Sequence, residues 1–214
     1  RATPSHTVPG STHAVPTALQ STGFLASAPT DPRPYLLTPA QMAEVDDKLG
    51  DRWVINTTQL PSFTLNSDFP ADARAVLDKA GRVLGYQSYW VKGVTRDEEA
   101  RTIGVLLFQQ VSVYNDAQGA ATGLASMIGL SQDTEIKPGP SIGDSARKWL
   151  GITDPGKNPD GQSSVVEINF RVGRYVASLQ VTARPVGTRD AAVELADLNS
   201  ALTEALARKL AENL

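Results

Sequence analysis

The 214-residue sequence has no cysteine and only two histidines, and both of these, His6 and His13, lie close to its start. From residue 38 onward there is neither type. That excludes Ser-His-Asp triads, thiol nucleophiles and His-ligated zinc or iron from the body of the chain, together with any disulfide. Two histidines seven residues apart in a Ser/Pro segment read as solvated side chains, so no metal site is expected there. Neither sign of charge is in excess: 20 basic residues face 23 acidic ones, a net charge of −3. A nucleic-acid partner normally leaves a basic patch, which is missing. Long apolar runs are missing too, since stretches such as Ile103 to Phe108 are far too short to span a bilayer. No Gly-x-Gly-x-x-Gly or P-loop pattern occurs, and nothing calls for a cofactor.

What is present begins with proline. Six of the fourteen prolines, Pro4, Pro9, Pro16, Pro29, Pro32 and Pro34, stand among Ser, Thr, Ala and Gly. Such a segment cannot offset its ordering entropy by burial. Residues 1–37 are therefore expected to be a disordered Pro/Ser/Thr-rich tether, and residues 38–214 a single domain. Arg1 is not an initiator methionine, which suggests that a signal peptide or a trimmed segment preceded it. With 41% hydrophobic residues the domain can bury roughly 70% of its unfolded surface without disulfides.

Thr38, Pro39 and Gln41 form a capping box, followed by Met42, Val45 and Leu49 at helical spacing and a stop at Gly50. Arg52 to Leu60 reads as a strand, and Ala71 to Ala80 as a short helix with Ala73, Val76, Leu77 and Ala80 inward. Arg82 to Lys92 is a second strand, joined through the charged turn Arg96-Asp97-Glu98-Glu99 to a long one, Arg101 to Tyr114. In that strand Ile103, Val105, Leu107, Val111 and Val113 share one face while Leu106 and Phe108 take the other, which predicts a central position. Asn115-Asp116 caps a helix running to about Ile128, and loops follow from Ser131 to Gln162, interrupted by a short strand at Arg147 to Leu150. Ser164 to Arg171 and Arg174 to Ala183 form a hairpin about Val172-Gly173. Thr188 caps a last helix whose Ala191, Leu195, Leu198, Leu202, Leu206 and Leu210 make one apolar stripe. The fold class that follows is α+β, an antiparallel sheet packed by helices with a long C-terminal amphipathic helix across it.

One combination of these motifs is distinctive. A long strand ends in Tyr114-Asn115-Asp116-Ala117 and enters an Ala-rich helix; the turn Ile142-Gly143-Asp144 comes next, then the hairpin Ile168 to Val176 and a terminal helix. In this the chain resembles a broad group of bacterial extracytoplasmic lipoproteins and sensor domains. The group includes the mycobacterial LpqN-like proteins and the external domain of the PknH kinase, and its architecture is PsbP-like. The resemblance covers about residues 80–212. It implies an exported, sometimes lipid-anchored domain that binds a ligand or partner, with no catalytic residues to carry over. Lipid-anchored members carry a cysteine ahead of the tether; none stands in this sequence, so any anchor is expected upstream of Arg1, cut away, or else never existed.

Among candidate chemistries, Ser145-Ala146-Arg147-Lys148 matches Ser-x-x-Lys but lacks the companion motifs of that enzyme class. Asp97, Glu98 and Glu99 are neighbours in a turn, and glycosidase carboxyls must instead face one another across a sugar. Asp154 to Gly161 lacks the spacing and terminal Glu of an EF-hand loop. The aromatic residues remain. Tyr86, Ser88 and Trp90 share a strand face, with Trp149 near the later loops, and together they are the candidate ligand-binding set. The competing reading is that Trp53, Trp90 and Trp149 fill the core. The expectation is an extracytoplasmic, tethered, non-enzymatic domain that binds a small molecule or a cell-envelope component. The alternatives are a protein–protein assembly module of an envelope complex and a carboxylate-based hydrolase.

Overall fold

Residues 31–46, 62–95, 102–127, 134–152, 162–186 and 189–214 are described by the structure, a computed structural model. In chain order they form α1 (Pro39–Asp46), β1 (Ser62–Thr64), α2 (Ala71–Lys79), β2 (Arg82–Thr95), β3 (Thr102–Tyr114) and α3 (Ala117–Ser126). Then come β4 (Thr134–Ile136), β5 (Ser145–Ile152), β6 (Gln162–Val172), β7 (Tyr175–Val186) and α4 (Arg189–Ala211). The strands make one seven-stranded sheet in the order β1-β2-β3-β7-β6-β5-β4. Every neighbouring pair is antiparallel. This is the expected α+β class. As the pattern on both its faces predicted, β3 is an inner strand, paired with β2 on one side and β7 on the other.

Alternation along the strands sorts side chains onto two faces. The first face holds Leu107, Val111 and Val113 of β3, Ala177, Leu179 and Val181 of β7, and Ile168 and Phe170 of β6, all buried. The α4 helix lies across it, contacting β5, β6 and β7, and contributes Leu202, Leu206 and Leu210 at four-residue intervals. Met42 and Val45 of α1 join the same core. The capping box forms as read: the Gln41 side chain accepts from the Thr38 amide at 3.0 Å, and the Gln41 amide donates to the Thr38 hydroxyl at 3.3 Å.

Several expectations change. The boundary drawn between residues 37 and 38 falls inside a packed segment, because Leu36 and Leu37 are 8% and 2% exposed and belong to the core. Two adjacent leucines behind Pro32 and Pro34 offer little periodicity, but after the 3-10 turn Arg33–Tyr35 they give the segment enough apolar area to dock. In α2 the expected inward face is only partly covered: Ala80, past its end, is buried, Ala73 and Leu77 are half-buried, and Val76 is exposed. The helix packs at the margin of the sheet against β2 and α3, not over the core. The described part of the 131–162 region includes β4 and a β5 longer than expected, and the last hairpin turns at Gly173-Arg174. Gly173 has φ 55, the left-handed conformation a two-residue hairpin loop demands. The strand read at 52–60, the turn at 96–99 and the loop at 154–161 lie outside the described residues.

The second face carries α3. Asp116 caps it, its carboxylate accepting from the Gly119 amide at 2.7 Å. Ala120 and Leu124 pack with Tyr114, Val176 and Ala80 in a smaller core. Gly123 lies so close to Tyr114 that a Cβ there would meet the phenol oxygen at 2.3 Å, so only glycine lets the helix settle this low.

Candidate functional site

The first face around β2 is closed by the segment Asp31 to Thr38. Gln109 of β3 points into that side; its side chain accepts from the Leu37 amide at 2.9 Å and donates to the Leu37 carbonyl at 3.1 Å. The same amide nitrogen donates to the Ser88 hydroxyl at 3.0 Å. Ser88 is 4% exposed and is thus part of a buried latch. Tyr86, the next residue on this face, is half-buried and meets Phe63 edge-on at 4.7 Å between ring centroids. The Arg33 guanidinium lies over Phe63, 5.3 Å from its centroid. Trp90 stands on the same strand opposite Leu107, and its side chain lies outside the described residues. Trp149 is elsewhere: it belongs to β5, four strand steps from β2, and its parity places it on the second face. The structure therefore brings Tyr86 and Ser88 together and separates Trp149 from them.

The second face beyond α3 has a different chemistry. Register aligns Gln87, Gln110, Ser178, Asn169 and Arg147 in one row across five strands. The adjoining row is Tyr89, Phe108, Gln180, Glu167 and Trp149. The Tyr89 and Phe108 rings pack at 4.9 Å, and Trp149 closes the far end about 19 Å away at the usual strand spacing. Gln110, Gln180 and Glu167 are half-buried, whereas Asn169 is 1% exposed. Asn169 donates through Nδ2 to Glu167 at 2.6 Å, and its Oδ1, buried, has no partner among the described residues. A buried acceptor without a donor is costly, so it marks a place where a donor belongs.

Several cations on this face are engaged, although Arg171 Nε is buried without a partner among the described residues, and the side chain of Arg184 lies outside them. Arg147 pairs with Glu135 at 3.0 Å, stacks on Trp149 at 4.6 Å, and donates to the carbonyls of Leu124, Ala125 and Met127 at the end of α3. The Arg147 hydrogen bond holds the Glu135 carboxyl below its ordinary range. Arg171 pairs with Asp144 at 2.9 Å and donates to the Gly173 carbonyl. Asp144 also accepts from the Gly173 amide, so the Ile142-Gly143-Asp144 turn serves to tie the hairpin end. Arg82, nearly buried, donates to Ser112, to the Thr64 carbonyl and hydroxyl, and to Asn66. Burial lowers its pKa, and the same cause raises that of Tyr114, whose hydroxyl has no partner among the described residues.

The Ser-x-x-Lys match does not assemble a dyad. Ser145 and Lys148 are three apart on one strand and so point to opposite faces. Lys148 reaches α4 instead, where its ammonium bonds Ser200 and lies 2.6 Å from the Glu204 carboxylate. Among the described residues no three of His, Cys, Asp and Glu gather closely enough to hold a metal ion, and no helix is long and apolar enough to cross a membrane.

The polar rows were legible as Gln110 and Ser112 on β3, Ser178, Gln180 and Thr182 on β7, and Glu167 and Asn169 on β6. Each set alternates with apolar residues. Aromatic residues on β2 drew the reading to the opposite face.

No family model matches the chain, and no curated protein matches it in sequence. Among solved structures, the extracellular domain of PknH from Mycobacterium tuberculosis is similar over 80% of this chain and 92% of its own, at 10% identity and a TM-score of 0.32. A Mycobacterium smegmatis protein described as an ortholog of Rv0999 is similar over 80% of this chain and 96% of its own, at 13% identity and a TM-score of 0.31. The strand order and registers, not these similarities, define the fold.

Proposed function

We propose that the chain is an extracytoplasmic binding domain that acts without catalysis, and that its ligand rests on the second face of the sheet. The observation that carries this reading is the pair of half-buried amides Gln110 and Gln180, set beside the buried hydroxyls of Ser112, Ser178 and Thr182 and the buried Asn169, whose Oδ1 has no partner among the described residues. The Cys-free composition and the Pro/Ser/Thr-rich residues ahead of Asp31 support export and a tether, with a small molecule or a cell-envelope component as ligand. The test is ligand-observed NMR with a chemically mixed small-molecule library, run on the chain and on a Gln110→Ala/Gln180→Ala variant. Compounds that bind the chain and lose the variant support the reading; binders indifferent to the variant refute it.

A second reading, an assembly module, rests on one observation. Phe63, Leu65, Val76 and Val83, four of the five large apolar side chains exposed among those described, lie on β1, just past its end, on α2 and at the start of β2. Apolar exposure concentrated near one edge of a sheet supports a contact surface there. A photoreactive residue at position 65 would cross-link a protein partner under this reading and none under the first.

A further inference from the structure

We propose that residues 31–37 are a displaceable strap, and that the groove beneath them on the first face takes a segment of the same chemistry from another polypeptide. That chemistry is a proline-led turn, an aromatic residue and two adjacent large apolar ones. The inference does not depend on the second face being a ligand site. The sequence makes the strap a compact unit. Pro32 and Pro34 restrict its backbone, and the turn Arg33–Tyr35 closes on itself. The Tyr35 amide donates to the Pro32 carbonyl at 3.1 Å and the Leu36 amide to the Arg33 carbonyl at 3.2 Å. Asp31 pairs with Arg33 and accepts from its amide at 3.0 Å. The turn thus satisfies its own amides while Leu36 and Leu37 enter the core.

Among the described residues no backbone-to-backbone hydrogen bond joins residues 31–37 to the sheet or to α4. Side chains hold the strap instead. Gln109 accepts from the Leu37 amide and donates to its carbonyl, Asn213 donates to the Tyr35 carbonyl at 3.1 Å, and the Tyr35 and Tyr175 rings lie 5.0 Å apart. The strap can therefore lift away without opening a β ladder or a helical turn. The same contacts are those by which a groove reads a peptide. A side-chain amide that both donates and accepts matches the backbone of one residue whatever its side chain. Burial at the two leucine positions then selects large apolar residues and excludes charged ones. A proline-led turn loses little freedom on docking, which favours a short segment as the occupant.

Two measurements on the full chain test the proposal. In native-state hydrogen exchange the Leu37 amide should exchange through a local opening at least about tenfold faster than the Leu179 amide of the inner strand β7. Equal rates would make the strap part of the global fold and overturn the proposal. Fluorescence anisotropy with a labelled, end-capped peptide of residues 31–38 then reads the groove. The parent chain should take this peptide weakly, because its own strap competes at high effective concentration. Leu37→Ala in the chain weakens the strap and leaves the groove as it is, so that variant should bind the peptide at least about tenfold more tightly. A peptide carrying the same Leu37→Ala change should lose the gain. Tyr35→Ala, at a half-buried position, gives the same direction if the first variant fails to fold. A folded variant that binds the peptide no better than the parent chain, or binds the altered peptide equally well, overturns the proposal.

Discussion

Gln109 and Gln110 follow one another along β3 and point to opposite faces of the sheet. Gln109 is fully buried and makes three hydrogen bonds, two to the Leu37 backbone and one to Ser88. Its replacement by alanine leaves the Leu37 amide and carbonyl buried and unpaired, which should cost about 2–4 kcal/mol in urea denaturation. Gln110→Ala removes weaker bonds to Ser112 and Thr64, at 3.2 and 3.4 Å, and should cost less than about 1 kcal/mol. Tyr114 makes the converse case. Its buried hydroxyl lacks a partner among the described residues, so Tyr114→Phe should stabilise the fold by about 1 kcal/mol. Burial raises the Tyr114 pKa above its ordinary 10.0, so the native state keeps a proton that the unfolded chain releases. Stability is then complete below that value and falls as pH rises through it. Melting curves above about pH 10 should show a shallower alkaline decline in Tyr114→Phe than in the parent chain. The alternation of residues on β3 was readable; the pairing of Gln109 with Leu37, seventy-two positions away, was not, because no local pattern encodes it.

At the scale of elements, the parts with strong local signals were the most legible. The capping box at Thr38, the Asp116 cap and the Leu202-Leu206-Leu210 part of the α4 stripe are local chemistry, and each appears in place; Thr188 and the side chains of Ala191, Leu195 and Leu198 lie outside the described residues. Segments whose order depends on tertiary contact were not legible. Residues Asp31 to Thr38 have no helical or strand periodicity, yet Gln109, Asn213 and the core hold them: Asn213 donates to the Tyr35 carbonyl at 3.1 Å, and Gln41 donates to Asn213 at 2.7 Å. A chain beginning at Asp31 should be more stable than one beginning at Pro39 by more than about 4 kcal/mol, since the shorter chain loses two buried leucines and orphans Gln109. Equal denaturation midpoints would show that the segment contributes nothing. On the other face, Arg147 gathers the last carbonyls of α3. Arg147→Ala should raise hydrogen exchange in α3 while leaving β6 and β7 protected.

For the whole molecule, the class of fold followed from the order of elements, but the strand order did not. Nothing local dictates that β3 pairs with β7, and that pairing decides which aromatic residues can meet. It puts Trp149 at the far end of a row that begins at Tyr89, and it leaves Tyr86 and Ser88 on the side covered by the amino-terminal segment. The two faces then differ: one is covered by α1, α4 and residues 31–38, and the other carries the half-buried amides of Gln110 and Gln180 beyond α3. The adjacent side chains of Gln109 and Gln110 test this division most directly, because each reports one face. In an NMR titration of the intact chain with a compound that binds it, the Gln110 side-chain amide should shift and that of Gln109 should stay in place. A shift at Gln109 with Gln110 unmoved would contradict the account.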